Sequence, residues 1–172
     1  MNKKLSIILV LLLLAVLFSF RSNAQVGKFQ AGYIYQFTKF IEWPASYKSG
    51  DFVIGILGNA DVSSSLQELA STKKVVDQAI KVQDYTSVGD IGKCNILFIA
   101  ASQSGDLDAI LKKIGAASTM IVGEKPGLAQ NGASINFLEK DGKLVFEINQ
   151  SSFDKHGLSV NSQLLNLAVK KY

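Results

Sequence analysis

The chain has 172 residues, the length of one ordinary domain, and carries 18 basic and 14 acidic residues, a formal charge of +4. Three basic residues lie within the first 24 positions, which leaves 15 against 14, a net charge of +1, for the remainder. So small an excess of positive charge gives no indication of nucleic-acid binding. One Cys excludes a disulfide within the chain, and one His excludes a multi-histidine metal site.

The first 24 residues have the pattern of a secretory signal peptide. Lys3 and Lys4 precede a mostly apolar stretch over residues 5–20, and Ser22-Asn23-Ala24 provides the small residues of a cleavage site. The apolar stretch is shorter than the ~20 residues that span a bilayer. We therefore expect cleavage after Ala24 and export to the periplasm, with an uncleaved anchor as the alternative.

The first element after the leader is predicted to be an amphipathic helix. Pro44 restricts the residue before it to extended geometry, so the helix is expected to end at Trp43. Six apolar residues at helical spacing are expected to form its buried stripe: Phe29, Tyr33, Ile34, Phe37, Phe40 and Ile41.

Strands and helices then alternate along the chain. The sequence predicts a buried strand over residues 52–57, a helix over 63–70 capped by Asp61, a weaker strand over 79–82, a buried strand over 95–99, a helix over 107–114 that ends at Gly115, and a strand over 119–122. Such alternation is typical of βαβ units and a largely parallel sheet.

The last part of the chain changes to a hairpin. Residues 133–139 and 143–149 alternate around Asp141-Gly142, a pair that favours a type I′ turn. Centring the turn there gives the pairs Ile135–Ile148 and Phe137–Phe146 on a core face, and Leu138–Val145 and Asn136–Glu147 on the other. A helix capped by Asn161 or Ser162 follows. The predicted fold is α/β: a single domain over residues 25–172, with a mixed sheet that has a parallel βαβ part and a C-terminal hairpin, flanked by helices.

No group of residues points to catalysis. Gly55 and Gly58 lack the third glycine of a dinucleotide-binding loop, and no Gly-Lys-Ser/Thr phosphate loop is present. His156 is interpreted as a surface or helix C-cap residue, and Cys94 as a buried, inert thiol rather than a reactive one. We therefore expect a non-enzymatic protein with no catalytic residues, no cofactor and no bound metal.

A second face of the first helix combines aromatic residues with a cation. Tyr35 and Trp43 are expected to lie away from the buried stripe and to flank Lys39, a combination typical of protein interfaces. We predict that Tyr35, Lys39 and Trp43 bind a partner. The alternatives are that a loop or the sheet edge covers them, or that Trp43 turns inward at Pro44.

Two groups of residues are candidates for a small-ligand site. Parallel sheets bind ligands at the carboxyl ends of their strands, where Gly58, Asn59 and Gly123 are expected to lie. Asn136 opposite Glu147 inside the hairpin is either a hydrogen-bonded structural pair or half of a ligand site.

Two motifs and several supporting segments follow one another in a fixed order. The most specific are Lys39-Phe-Ile-Glu-Trp-Pro44 and Phe146-Glu-Ile-Asn149; the others lie at residues 52–58, 94–99, 120–123, 132–137 and 157–165. In this order they resemble the YfiR-like family of exported proteins, over roughly residues 28–169.

The resemblance implies a compact periplasmic α/β domain, often dimeric. It further implies a protein that binds the periplasmic part of an inner-membrane diguanylate cyclase and holds it inactive, which lowers cyclic-di-GMP and restrains biofilm formation. Some members of the family are redox-sensitive through disulfides. Here Cys94 has no second Cys to pair with, so only an intermolecular Cys94–Cys94 bridge stays open.

The sequence therefore predicts a periplasmic regulator. Its expected partner is an inner-membrane signalling protein, either a diguanylate cyclase or a sensor kinase, and not a nucleic acid. A homodimer stays open. The alternative function is a periplasmic module that binds a small ligand.

Overall fold

Helices and strands cover most of residues 25–58 and 61–172, the part of the chain that the computed structural model describes. The helices are α1 over residues 25–37, α2 (Val62–Ala70), α3 (Leu107–Ile114), α4 (Gln150–Lys155) and α5 (Ser162–Leu167). The strands are β1 (Ile41–Glu42), β2 (Phe52–Leu57), β3 (Lys74–Val75), β4 (Gln78–Tyr85), β5 (Ile96–Ile99), β6 (Met120–Gly123), β7 (Ile135–Lys140), β8 (Lys143–Ile148), β9 (Ser159–Val160) and β10 (Lys170–Lys171). No helix in this part of the chain is long and apolar enough to cross a membrane. The predicted signal peptide lies outside the described residues.

Eight of these strands form one mixed sheet, in the order β10-β8-β7-β6-β5-β2-β4-β3. The central strands β4, β2, β5, β6 and β7 run parallel, whereas β7 and β8 form an antiparallel hairpin. β1 and β9 pair separately as a short antiparallel ribbon. The predicted fold class, a single α/β domain with a mixed sheet flanked by helices, is confirmed.

Both faces of the sheet are buried. One face packs against α1, α2, α4 and α5, and the other packs against α3. In β5, for example, Phe98 points to the first core, whereas Leu97 and Ile99 point to the second. Strands buried on both faces are near-continuous apolar runs, which is why the sequence predicted β2, β5 and β6 within a residue or two.

The hairpin has the predicted register. Asp141 and Gly142 have φ angles of 52° and 70°, as a type I′ turn requires. Ile135 pairs with Ile148 and Asn136 with Glu147. The predicted cap of the last helix is also confirmed, because the Asn161 side chain accepts a hydrogen bond from the Gln163 amide at 2.8 Å.

The first helix ends six residues earlier than predicted. After residue 37 the chain makes a turn, and Ile41 then pairs with Val160 of β9. The Thr38 hydroxyl donates to the Tyr35 carbonyl at 2.7 Å, so a side chain takes part in the end of the helix. Pairing with a strand more than a hundred residues away thus ends the helix before Pro44 does.

One local prediction at a helix start is wrong, and one helix was missed. Asp61 precedes α2 but makes no capping hydrogen bond through its side chain, because its own backbone is already helical, with φ −62° and ψ −19°. Helix α4 was not predicted, although Asn149 caps it by accepting a hydrogen bond from the Ser152 amide at 3.1 Å.

Candidate functional site

Two of the three predicted partner-binding residues line one groove at the end of α1, which we call the helix-end groove. Its volume is about 580 Å³. Lys39 and Trp43 both line it, together with the β3–β4 turn at Val76, Asp77 and Gln78 and the β9 segment from Ser159 to Asn161. The fold therefore places the Lys39 ammonium, the Trp43 ring and the apolar Val76 side chain around one groove.

Tyr35, on the last turn of α1, contacts Lys39 but does not itself line the helix-end groove. The Lys39 Nζ lies 5.2 Å from the centroid of the Tyr35 ring, within the range of a cation–π contact. The Tyr35 hydroxyl donates to the Lys74 carbonyl at 3.3 Å, which joins α1 to the edge strand β3. Tyr35 is half-buried, and Lys39, which lies two residues beyond the end of α1, is exposed.

Trp43 does not lie on an exposed helix face, and that prediction is wrong. Its side chain is 5% exposed and its ring packs edge-on against Phe52, with 5.0 Å between centroids. The alternative that Trp43 turns inward at Pro44 is confirmed. The indole N–H donates to the Asn95 carbonyl at 3.2 Å, so Trp43 supports the floor of the groove from within the core. Its part in partner binding stays a prediction.

The Asn95 side chain fixes the segment around Trp43 through hydrogen bonds to two other parts of the chain. Its side-chain carbonyl accepts a hydrogen bond from the Val53 amide at 3.0 Å, and its side-chain amide donates to the Tyr47 carbonyl at 3.3 Å. One buried amide thus connects β2 to the chain that follows Pro44. The Glu-Trp-Pro motif is therefore a structural anchor beneath the groove.

Sequence reasoning missed Val76 at the rim of the groove. Val76 lies in the two-residue turn between β3 and β4, where Val75 pairs with Gln78. Its φ is +53°, in the left-handed region, and its side chain is 89% exposed. Asp77 is a common turn residue, but the positive-φ position is occupied by Val rather than by Gly or Asn, so the sequence gives little signal for this turn.

A second apolar groove lies between the first half of α1 and the β7–β8 hairpin, and we call it the hairpin groove. Its volume is about 760 Å³, and Val26, Phe29 and Tyr33 line it from the helix. The predicted burial of Phe29 and Tyr33 is wrong, since they are 55% and 36% exposed. The buried stripe of α1 is narrower than predicted, and it includes Ala31, Ile34 and Phe37.

The predicted ligand crevice at the carboxyl ends of the strands contains side chains of the protein itself. A Cβ atom at Gly58 would lie 2.7 Å from Cγ of Gln103, and one at Gly123 would collide with Leu128. Both glycines therefore permit close packing within the chain. Asn59 lies outside the described residues, and ligand binding by this group stays a prediction.

Asn136 and Glu147 are neighbours across the hairpin but do not form the expected hydrogen-bonded pair. Gly123, Asn136 and Glu147 lie side by side on β6, β7 and β8. The Asn136 side chain is completely buried, and within the described residues neither its oxygen nor its nitrogen has a hydrogen-bond partner. The Glu147 carboxylate instead accepts from the Tyr172 hydroxyl at 3.4 Å.

The two side chains with potential reactivity are both buried. The predicted burial of Cys94 is confirmed, and burial raises the pKa of its thiol to about 12; that the thiol is inert stays a prediction. His156 is the C-cap of α4, as one of its two interpretations had it, but it is buried rather than on the surface. Its Nδ1 donates to the Ala117 carbonyl at 2.9 Å, and burial lowers the pKa of the imidazole.

Comparison with known proteins identifies the family. Residues 27–169 match the YfiR/HmsC-like family. The chain belongs to this family. The YfiR/HmsC-like family is periplasmic and regulatory, and its members are generally non-enzymatic. A search of curated proteins finds no match to this chain.

Solved structures show a likeness of fold. A conserved domain protein from Vibrio cholerae O1 biovar El Tor has a TM-score of 0.53 and 14% identity. An ABC domain in complex with L-Trp from Streptococcus pneumoniae has the same TM-score and 10% identity. In both cases the match covers 70% of this chain and 55% of the other, so this chain spans about half the length of those proteins.

Proposed function

We propose that the protein is a non-enzymatic periplasmic regulator that binds the periplasmic part of an inner-membrane diguanylate cyclase and holds it inactive. Membership of the YfiR/HmsC-like family is the observation that carries this proposal. The predicted signal peptide, cleaved after Ala24, would deliver the domain to the compartment where such a partner is exposed. Less cyclic-di-GMP and restrained biofilm formation are the consequences.

The helix-end groove is the proposed contact surface. Tyr35 presents part of an aromatic ring, and Lys39 is held above it by the cation–π contact. Aromatic and cationic side chains beside an apolar depression are typical of the residues that dominate binding energy in protein interfaces. Trp43 and Phe52 form a rigid floor beneath them, which reduces the entropy lost when the partner docks.

One cation that lines the groove has no ion-pair partner among the described residues. Lys48 is paired with Glu42 at 2.9 Å, and this is the one ion pair among the described residues. Lys39 has no carboxylate within ion-pair distance in the same part of the chain. Its charge is therefore available to a partner.

Photo-crosslinking in living cells tests the proposal. A photo-crosslinking residue replaces Ser159, which lines the groove and is exposed, so that Tyr35 and Lys39 stay intact. The matched control replaces Lys112, which is exposed on α3, on the opposite face of the sheet. We expect an adduct with a membrane protein that carries a cyclase domain from Ser159 and not from Lys112. Adducts of equal yield from both positions, or none from Ser159, would contradict the proposal.

A small-ligand-binding module is the second candidate function. One observation favours it: the Asn136 amide is fully buried without a hydrogen-bond partner in the described structure, beside Gly123 and Glu147. Against it, side chains of the protein occupy the space next to Gly58 and Gly123. A thermal-shift screen of periplasmic metabolites tests it, because a ligand at a hundred times its dissociation constant stabilises a protein by about 2.7 kcal/mol.

A further inference from the structure

We infer that Val76 binds the partner directly, and that the segment entering the helix-end groove carries an apolar side chain next to a carboxylate. This inference rests on the proposed function and adds the chemistry of the partner to it. Three observations support it: the backbone conformation of Val76, the exposure of its side chain, and the charges at the groove rim.

The backbone of Val76 is in a conformation that Val rarely adopts. Two residues other than glycine have a positive φ in the described part of the chain, Val76 at 53° and Asp141 at 52°. Asp141 precedes Gly142 in a turn where Asp is a common residue. A β-branched side chain at positive φ is a genuine outlier, and Gly or Asn would adopt the same turn with less strain.

The Val76 side chain does little for the fold, since 89% of its surface is exposed. It is the most exposed large apolar side chain in the described structure. A strained residue with little packing lowers the stability of the fold, and such residues concentrate at sites of function. The feature that a Gly or Asn in this turn would lack is an apolar group at the groove rim.

The groove beside Val76 has an apolar interior and separated charges at its rim. Trp43, Phe52 and Val75 are buried in its lining. Four charged residues line it: Lys39 just beyond the end of α1, Glu42 and Lys48, which form an ion pair, and Asp77 next to Val76 in the turn. An apolar side chain therefore fits against Val76, and a carboxylate fits opposite Lys39. Glu42 and Lys48 neutralise each other, so Lys39 and Asp77 are the lining charges without an ion-pair partner in the described structure. Asp77 repels a carboxylate at the turn, and these two charges therefore fix the direction of the segment.

The variant Val76→Gly separates binding from stability. Gly relieves the strain at positive φ, so the variant is expected to have a melting temperature equal to or above that of the natural chain. Loss of the apolar group is expected to lower the yield of the Ser159 adduct by at least about fivefold, the loss typical of an interface anchor. The matched control, Asp141→Gly, changes the other positive-φ turn and is expected to leave the yield unchanged.

The outcomes distinguish this inference from the proposed function. An adduct with a membrane cyclase that Val76→Gly does not weaken would overturn the inference and leave the proposed function standing. Absence of that adduct from the natural chain would overturn both.

The crosslinked peptide, sequenced by mass spectrometry, tests the chemistry. We expect an aliphatic or aromatic residue with Asp or Glu within a few positions of it. A peptide without an acidic residue, or one from a second copy of this chain, would overturn the assignment.

Discussion

Replacing Asn136 by Leu is expected to stabilise the protein, although the change removes a buried polar group from a central strand. Leu repeats the branched shape of the amide with two methyl groups. The Asn136 side chain is fully buried and, within the described residues, neither of its polar atoms is hydrogen-bonded. The substitution therefore breaks no hydrogen bond of the described structure.

The size of the effect follows from that burial. A buried polar group without a partner costs about 1–3 kcal/mol relative to its hydrated state in the unfolded chain. Imperfect fit of the two methyl groups offsets part of the gain. We expect a net stabilisation of about 1–2 kcal/mol, equivalent to a rise of roughly 2–8 °C in the melting temperature of a domain of this size.

Urea denaturation followed by circular dichroism measures the change, with Asn149→Leu as the matched control. Asn149 is buried too, but it donates to the Ala129 carbonyl at 2.7 Å and accepts from the Ser152 amide at 3.1 Å. Its loss is expected to destabilise the protein by about 2–4 kcal/mol. If Asn136→Leu instead destabilises by more than about 1 kcal/mol, the amide has a partner in solution, and the ligand-binding candidate gains support.

Three further predictions concern buried groups. Trp43→Phe removes the donor to the Asn95 carbonyl and part of a buried ring, and is expected to cost about 1–3 kcal/mol in urea denaturation; an unchanged midpoint would contradict the anchoring role. Burial raises the pKa of the Cys94 thiol to about 12, so Cys94 is expected to resist a thiol reagent at pH 8 in the native protein and to react fully in urea. Rapid labelling of the native protein would refute the burial of Cys94. Burial lowers the pKa of His156, so the unfolded chain binds the proton more readily, and the free energy of unfolding is expected to fall as the pH drops below about 6.5. The variant His156→Asn, which keeps a donor toward the Ala117 carbonyl, is expected to reduce this pH dependence. An equal pH dependence in both chains would refute the assignment.

Local chemistry made the hairpin and the central strands predictable. The Asp141-Gly142 turn fixes the cross-strand register by itself, because both residues accept positive φ. The buried strands are apolar on both faces, so their sequences differ from those of every surface segment. These signals lie within a few residues of the structure they determine.

The end of α1 was not predictable in the same way. Ile41 leaves the helix to pair with Val160, and the Trp43 indole finds its acceptor at Asn95. Both contacts join positions that are far apart in sequence, so helical periodicity alone continues too far. Phe29 was misplaced for a different reason, because the buried face of α1 passes through Gln30, Ala31 and Ile34 and leaves Phe29 55% exposed.

The candidate site was predictable only in part, for a related reason. The partial exposure of Tyr35 follows from its place on α1, whereas Lys39 is exposed in the turn after the helix. The side chains that occupy the space beside Gly58 and Gly123 come from other elements, so composition at the strand ends gave no sign of them. The strain at Val76 arises because a β-branched residue occupies the positive-φ position of its turn, where Gly or Asn is usual.

The most direct test of the central claim is the cyclic-di-GMP content of cells, measured by mass spectrometry. We expect cells that lack the protein to contain more cyclic-di-GMP, and the natural chain to restore the lower content. The variant Lys39→Glu is expected to be exported and folded but not to restore it, whereas Lys112→Glu on the opposite face restores it fully. A cyclic-di-GMP content that does not change when the protein is removed would contradict the claim that it restrains a cyclase.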